Sequence, residues 1–119
     1  MSSCTVCHIE YNTEDLARSQ KFGEEAFGWE FRSFGDEMVV FNTPEGHIGG
    51  FVKGDRPEGR SNPKVSYKVE SIDASLAKAI SLGATVAYAK KSVPGVGWYA
   101  SVQAPDGNEF GMVEFTESA

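Results

Sequence analysis

The residues near the start of the chain with the most potential for chemistry are Cys4, Cys7, His8 and Glu10. Cys4 to His8 spell C-x-x-C-H, the spacing that attaches a c-type haem. Attachment needs both thiols and the imidazole to converge, but the alternating residue types here predict a strand, on which Cys7 and His8 point to opposite faces. We therefore interpret Cys7 as a small buried hydrophobe. His8 and Glu10 share the other face, where an imidazole with a pKa of about 6.5 could act as a general base and the carboxylate could orient it.

The elements that position these side chains follow a regular order in the first half of the chain. Capping residues and acids at 12–15 favour a helix start, and an apolar stripe of Leu16, Ala17, Phe22, Ala26 and Phe27 extends to Gly28, which ends the helix. The turn Pro44-Glu45-Gly46 separates two strands. The sequence predicts a strand at 5–11, a helix at 15–27, and strands at 29–34, 37–42 and 47–53.

The second half repeats that order. A strand at 64–69 precedes a helix that opens at Ser71, presents Leu76, Ala79, Ile80 and Leu82 on one face, and closes at Gly83. Strands follow at 85–90, 98–103 and 109–115, and the turn Pro105-Asp106-Gly107 corresponds to Pro44-Glu45-Gly46. Matching turns at equivalent places in two such series indicate an internal duplication. We predict an α+β fold of two tandem βαβββ modules that form a curved sheet around a cleft. The domain covers 4–117, with repeats at 4–53 and 64–117 joined by a Gly- and Pro-rich linker at 54–63.

Composition narrows the function classes. A chain of 119 residues that is 40% hydrophobic and 24% charged predicts one globular domain. A net charge of −6 without a basic run argues against nucleic acid as a partner. The apolar runs are too short to cross a membrane, and the N-terminus does not resemble a secretory signal. We expect a cytoplasmic protein with reduced cysteines.

The sequence also resembles a known superfamily. The resemblance rests on five segments: His8-Ile9-Glu10 with Asp15, 27–31 (Phe-Gly-Trp-Glu-Phe), Ile72-Asp73, 82–84 (Leu-Gly-Ala) and 104–108 (Ala-Pro-Asp-Gly-Asn). They resemble the vicinal oxygen chelate superfamily, which includes glyoxalase I, bleomycin-resistance proteins and extradiol dioxygenases. The resemblance spans roughly 5–117 and implies the paired-module fold and a homodimer. Its motifs are mostly turn and packing residues, so they specify the fold better than the activity.

Metal-dependent members carry one ligand on the first strand and one on the fourth strand of each repeat. By resemblance these positions map to His8, Gly50, Gly111 and Lys64, with Val65 as the alternative to Lys64. Glycine and valine have no donor side chain, and a protonated lysine has no free lone pair. We therefore expect no metal and no other cofactor. A displaced divalent ion at His8 and Glu10 remains the alternative. We interpret His47 as a solvated residue after its turn, and alternation turns Glu114 away from the ligand side.

Two glycines at equivalent positions admit two interpretations. Gly50 and Gly111 either leave room for a ligand or allow strand curvature. Trp98 and Tyr99 follow Gly95-Val96-Gly97, and alternation directs one of them to the cleft, where an aromatic wall suits a planar or apolar molecule. Besides His8 and Glu10 as catalytic candidates, the predicted ligand-binding residues are Gly50, Phe51, Lys64, Trp98, Gly111 and Phe115.

Three functional hypotheses follow. The leading one is a metal-free, homodimeric protein that binds a small apolar or aromatic molecule, as bleomycin-resistance proteins sequester a ligand. The second is a lyase or isomerase of the lactoylglutathione-lyase type, or a dioxygenase, that uses a displaced ion at His8 and Glu10. The third is a structural or regulatory dimer whose cleft is vestigial.

Overall fold

The computed structural model of the chain describes residues 3–54 and 63–116. Most of the predicted linker at 54–63 and the last residue of the predicted domain lie outside them. Contacts divide the chain into two compact units: the first-repeat unit, His8–Pro63, and the second-repeat unit, which joins Met1–Cys7 to Lys64–Ala119. The elements are β1 (Val6–Thr13), α1 (Leu16–Phe27), β2 (Glu30–Ser33), β3 (Met38–Thr43), β4 (Gly46–Lys53), β5 (Lys64–Lys68), α2 (Ile72–Ser81), β6 (Thr85–Val93), β7 (Gly97–Gln103) and β8 (Glu109–Phe115).

The two units have the same strand topology. In the first-repeat unit the order is β2-β3-β4-β1, and in the second it is β6-β7-β8-β5. The first and last strands of each repeat pair in parallel, and the remaining neighbours pair antiparallel. The prediction of an α+β fold made of two βαβββ modules is confirmed.

The start of β1 belongs by its contacts to the second-repeat unit. The backbone N–H of Lys68 donates to the carbonyl of Thr5 at 2.8 Å, and the Cys7 thiol donates to the carbonyl of Ser66 at 3.6 Å. The compact units therefore differ from the sequence repeats by these few N-terminal residues.

Capping explains where both helices begin. The Asp15 carboxylate accepts from the N–H of Arg18 at 3.0 Å, and the Ser71 hydroxyl oxygen accepts from the N–H of Ala74 at 3.1 Å. Gly28 ends α1 with a φ of 70°, a left-handed conformation that suits glycine. The predicted helices are therefore confirmed within a residue or two at their ends.

Two strands are longer than predicted. β1 continues to Thr13, because its parallel pairing with β4 extends to Thr13↔Lys53. β6 continues past Lys90 to Val93, since Ser92 and Val93 still pair with β7 across an irregular register. The local sequence near Lys90 does not predict this extension. It depends on the pairing of β6 with β7.

The core of the first-repeat unit is aromatic. Phe41 is 1% exposed, and its ring lies 4.3 Å from that of Trp29, 5.3 Å from Phe31 and 5.5 Å from Phe51. Helix α1 approaches this cluster through Gly23, where a Cβ would lie 2.8 Å from the Phe31 ring. The predicted stripe of α1 is therefore only partly correct, because Phe22 and Phe27 remain 63% and 60% exposed.

The core of the second-repeat unit is aliphatic. Leu76 and Ala79 of α2 pack against it as predicted, whereas Ile80 and Leu82 are exposed. Its buried residues are Val69, Ile72, Ala100, Val102 and Met112. No helix among the described residues is both long and apolar enough to cross a membrane.

Truncating Phe41 tests the aromatic core. Phe41→Ala should lower the free energy of unfolding by about 3–5 kcal/mol, because it removes a buried ring and leaves a cavity. Phe22→Ala, which truncates the same residue type at an exposed position, should change it by less than about 1 kcal/mol. Urea unfolding followed by tryptophan fluorescence measures both values, and equal losses would contradict this description of the core.

Candidate functional site

Three polar side chains meet on one face of the first-repeat unit. His8 Nδ1 lies 2.8 Å from His47 Nε2, and His8 Nε2 lies 3.4 Å from Glu10 Oε1. The imidazole planes are inclined by 10° and their centroids are 5.1 Å apart. With nitrogens this close, so wide a centroid separation means that the rings meet end to end in nearly one plane. The result is a row from Glu10 through His8 to His47.

A β-bulge brings His47 to this face. On β3, Val40 and Asn42 alternate to the same side, and they pair with Gly50 and His47 of β4. Since Phe41 pairs with Gly49, Ile48 is an extra residue in β4. With regular alternation along β4, the side chains of His47 and Gly50 would lie on opposite faces of the sheet, because these residues are three positions apart. Because Glu10 also pairs with Gly50, His47 shares the face of Glu10 and His8.

The interpretation of His47 as a solvated residue after the turn therefore needs correction. His47 is exposed, but its imidazole contacts His8 rather than solvent alone. His8 is consequently not the only histidine on this face. The sequence contained one usable signal, the Gly49-Gly50 pair directly after His47-Ile48, since glycines within a strand often accompany a bulge.

The surroundings of His47 disfavour its protonated form. Burial lowers the pKa of the His47 imidazole most, and the neighbouring His8 and Arg32 lower it further. A neutral imidazole retains one nitrogen lone pair that can accept a proton.

The C-x-x-C-H segment does not form a haem site. Cys4 is exposed, and the half-buried Cys7 donates its thiol hydrogen to the carbonyl of Ser66. Burial raises the pKa of the Cys7 thiol, with Lys68 acting in the opposite direction. His8 is engaged with Glu10 and His47, so this segment has no converging ligand set.

The two strand glycines are explained by packing within their own units. A Cβ on Gly50 would lie 2.7 Å from Met38 Cε and 2.9 Å from the carbonyl oxygen of Val39. A Cβ on Gly111 would lie 2.5 Å from the Ser66 hydroxyl oxygen. The space beside each glycine is already filled, which favours the packing interpretation over room for a ligand.

The remaining predicted site residues lie in different surroundings. The ring of Phe51 packs in the aromatic core, 5.4 Å from Tyr11. Lys64 lies 3.6 Å from the Glu109 carboxylate, which also accepts from the Ser101 hydroxyl at 2.8 Å. Trp98 is partly covered by the Lys90 ammonium, 4.8 Å from its ring centroid, and Phe115 is half exposed.

Glu114 has a structural role on the helix side. Its carboxylate accepts from the backbone N–H of Ile72 at 2.8 Å, where α2 begins. The predicted orientation away from Gly111 is therefore correct, and the contact adds a negative charge at a helix N-terminus, where it is favourable.

The donor set does not fit the superfamily's metal centre. Gly50 and Gly111 supply no donor, Lys64 faces a carboxylate, and only His8 offers a lone pair. In the described parts of the chain, no three His, Cys, Asp or Glu side chains are grouped in a way that could hold a metal ion.

Apolar side chains line a cavity of about 490 Å³ in the second-repeat unit. Its lining comes from Ser75 and Ala79 of α2 and from residues of β5, β7 and β8. Of the predicted site residues only Gly111 lines it, and its other lining residues were not predicted from the sequence. Its larger side chains are Tyr67, Val69, Leu82, Val102, Phe110 and Met112, and Cys4 and Ala84 also contribute.

Comparison with known proteins identifies the fold. Residues 5–44 match the family described as bleomycin resistance protein-like N-terminal. Homoprotocatechuate 2,3-dioxygenase from Brevibacterium fuscum, in its anaerobic complex with 3,4-dihydroxyphenylacetate, superimposes with a TM-score of 0.75 at 20% identity, over 93% of this chain and 36% of that one. The chain has the vicinal oxygen chelate fold. This confirms the resemblance predicted from the sequence.

Two further structures from the same organism agree. A variant of homoprotocatechuate 2,3-dioxygenase gives a TM-score of 0.75 at 20% identity over 96% of this chain and 33% of its own. A room-temperature structure of an extradiol ring-cleaving dioxygenase gives 0.74 at 20% identity over 93% and 32%. The chain thus spans about a third of the length of these dioxygenases. No curated protein sequence is significantly similar to it. At this identity the vicinal oxygen chelate fold is shared, and activity requires separate support.

Substitution of Gly111 tests the packing interpretation. Gly111→Ala should destabilise the protein by about 1–3 kcal/mol, because the added methyl group overpacks against the Ser66 hydroxyl. Ser66→Ala removes that oxygen, so the double variant should recover part of the loss, as urea unfolding of all four proteins would show. If the losses of unfolding free energy in the two single variants simply added up in the double variant, the contact between residue 111 and the Ser66 hydroxyl would be contradicted.

Acid titration tests the state of His47. Its folded pKa lies below the ordinary value of 6.5, so the unfolded chain binds more protons as the pH falls through this value, and stability falls with it. His47→Gln should therefore lose less stability than the wild type between about pH 7 and about pH 5, measured by urea unfolding. The backbone N–H of Asn108 is the main cause of the lowered pKa of Asp106. Protonation of Asp106 changes stability only near and below pH 3.8, so it does not affect the comparison between about pH 7 and about pH 5. Equal losses of stability with falling pH in the wild type and in His47→Gln would contradict a lowered pKa of His47.

Proposed function

We propose that this protein binds a small apolar or aromatic molecule without a metal ion, in the cavity of the second-repeat unit. The observation that carries the proposal is the cavity itself. Its volume of about 490 Å³ lies within the range of small-molecule sites, and its lining is almost entirely apolar. Displacing water from such a lining favours an apolar occupant.

The chemistry of the walls supports an aromatic ligand. The Tyr67 and Phe110 rings, whose centroids are 6.1 Å apart and whose planes are tilted by 50°, form part of one wall. Aromatic rings contact other rings favourably in offset or edge-to-face arrangements. Met112 adds a flexible, polarisable side chain that adapts to ligand shape.

The metal-dependent alternative receives less support. A displaced ion at His8 and Glu10 would need further donors, but the nearest additional imidazole, His47, directs its nitrogen at His8 itself. Tight divalent sites generally use at least three protein ligands. We therefore retain metal-free binding as the proposal.

The expected homodimer and cytoplasmic location also remain proposals. Phe22 and Phe27 of α1 contact each other edge to face on the helix surface, with ring centroids 5.9 Å apart, and both are largely exposed. Exposed aromatic pairs of this kind are common where proteins associate.

Filling the cavity tests the proposed function. Wild-type protein should bind the neutral fluorescent probe N-phenyl-1-naphthylamine at one site per chain. Ala79→Leu places extra methylene groups in the cavity and should weaken binding about tenfold or more, because ligand and side chain would compete for the same space. Ala77→Leu makes the same change at an exposed position of the same helix and should bind like the wild type.

Binding that is absent from the wild type, or equal in the two leucine variants, would overturn the proposal. Urea unfolding of each variant establishes that the comparison is made on folded protein.

A further inference from the structure

The row Glu10–His8–His47 has a definite arrangement of protons. An ionised carboxylate only accepts, so His8 donates its Nε2–H to Glu10. In the neutral ring, His8 Nδ1 is then an acceptor, and the neighbouring His47 Nε2 must donate to it. This assignment follows from the hydrogen-bond network. It leaves the lone pair of His47 Nδ1 as the free basic position of the row.

The contact with His8 fixes the orientation of the His47 imidazole. The Nε2–H of His47 points at His8 Nδ1 along a nearly coplanar contact of 2.8 Å. When His47 Nδ1 takes up a proton, the Nε2–H keeps its bond to the His8 lone pair, and the far nitrogen of His8 faces the Glu10 carboxylate, whose negative charge partly offsets the new positive charge. Carboxylates that orient and support a histidine in this way are a recurrent device of acid–base sites.

The other charges near the row come from β2. Arg32 opposes protonation of His47, and Glu30 accepts from the Asn42 amide at 3.4 Å, on the strand next to His47. Together with Glu10 on β1, these are the charged groups that strand alternation places on this face among the described residues of β1 and β2. Because burial, His8 and Arg32 lower the pKa of the His47 imidazole, its protonated form is disfavoured before reaction and its lone pair is available to a substrate.

We propose that His47 is the general base of a second site, in the first-repeat unit, that takes a proton from a small molecule with a weakly acidic C–H or O–H bond, and that His8 and Glu10 are its positioning residues. In this step the lone pair of His47 Nδ1 forms the new N–H bond. The electron pair of the broken C–H or O–H bond stays on the substrate as a carbanion or oxyanion. The proposal is independent of the apolar cavity, which lies in the other unit.

The state of the row can be measured directly. The chain contains two histidines, so both are readily assigned in long-range proton–nitrogen NMR spectra. Near pH 7.5 we expect protonated Nε2 and unprotonated Nδ1 in both rings. A protonated Nδ1 on neutral His47 would overturn this assignment of protons, independently of any rate measured for a variant.

Proton abstraction can be tested with 5-nitrobenzisoxazole. A base removes the carbon-bound hydrogen, the C–H electron pair forms the nitrile, and the N–O bond breaks to release a coloured phenolate. The wild type should accelerate this reaction with a second-order rate constant about 100-fold above that of His47→Gln, in keeping with general-base contributions. Glutamine retains an N–H that can donate to His8, so the rest of the row is preserved.

Two further variants separate a positioning role from a structural one. Glu10→Gln should lower the rate and move the midpoint of its pH profile downward, because the negative charge of Glu10 no longer offsets the positive charge that forms on His47. Glu14→Gln, at an exposed position before α1, should match the wild type. Equal rates in the wild type and His47→Gln, or an unchanged pH profile in Glu10→Gln, would overturn the proposal. The binding of N-phenyl-1-naphthylamine would be unaffected by either result.

Discussion

In each repeat the first strand pairs in parallel with the last, so that Glu10 lies beside Gly50 and Ser66 beside Gly111. A parallel neighbour can be reached only by a long crossover, and the crossover places one helix on one face of each sheet. The other face then holds the residues that the parallel pair brings together. His8 and Glu10, the two strand glycines and the close contact of Ser66 with Gly111 all depend on this pairing.

The fold could be predicted because its local signals agree with its long-range contacts. Asp15 and Ser71 cap helices, and the two Pro-acid-Gly turns mark the same point in each repeat. Helix faces were harder to predict. Phe22 is exposed because α1 approaches the aromatic core through Gly23, and a hydrophobicity pattern gives a glycine no weight. The extension of β6 to Val93 likewise depends on pairing with β7 and not on local propensity.

The site was less predictable than the fold, since it depends on one extra residue. Counting along β4 places His47 and Gly50 on opposite faces, and the bulge at Ile48 brings them to the same face. His8 and Glu10 were identified correctly as neighbours, because they lie two apart on a regular strand. The apolar cavity was missed for another reason. It is lined jointly by α2 and by strands of the same unit, and the size of a gap between elements is not encoded in a strand pattern.

The same bulge supports our proposal of proton transfer, rather than metal binding, at the histidine pair. Metal coordination needs lone pairs that converge on a third point, with each histidine's other nitrogen held by an outer partner. Glu10 supplies such a partner for His8, but the inner nitrogens of His8 and His47 point at each other across 2.8 Å. One proton between them satisfies both, and no third atom is required. Gly50, which pairs with Glu10 in the same unit, carries no donor that could draw His8 toward an ion. The lone pair of His8 Nδ1 therefore accepts from His47 and is not free to bind an ion.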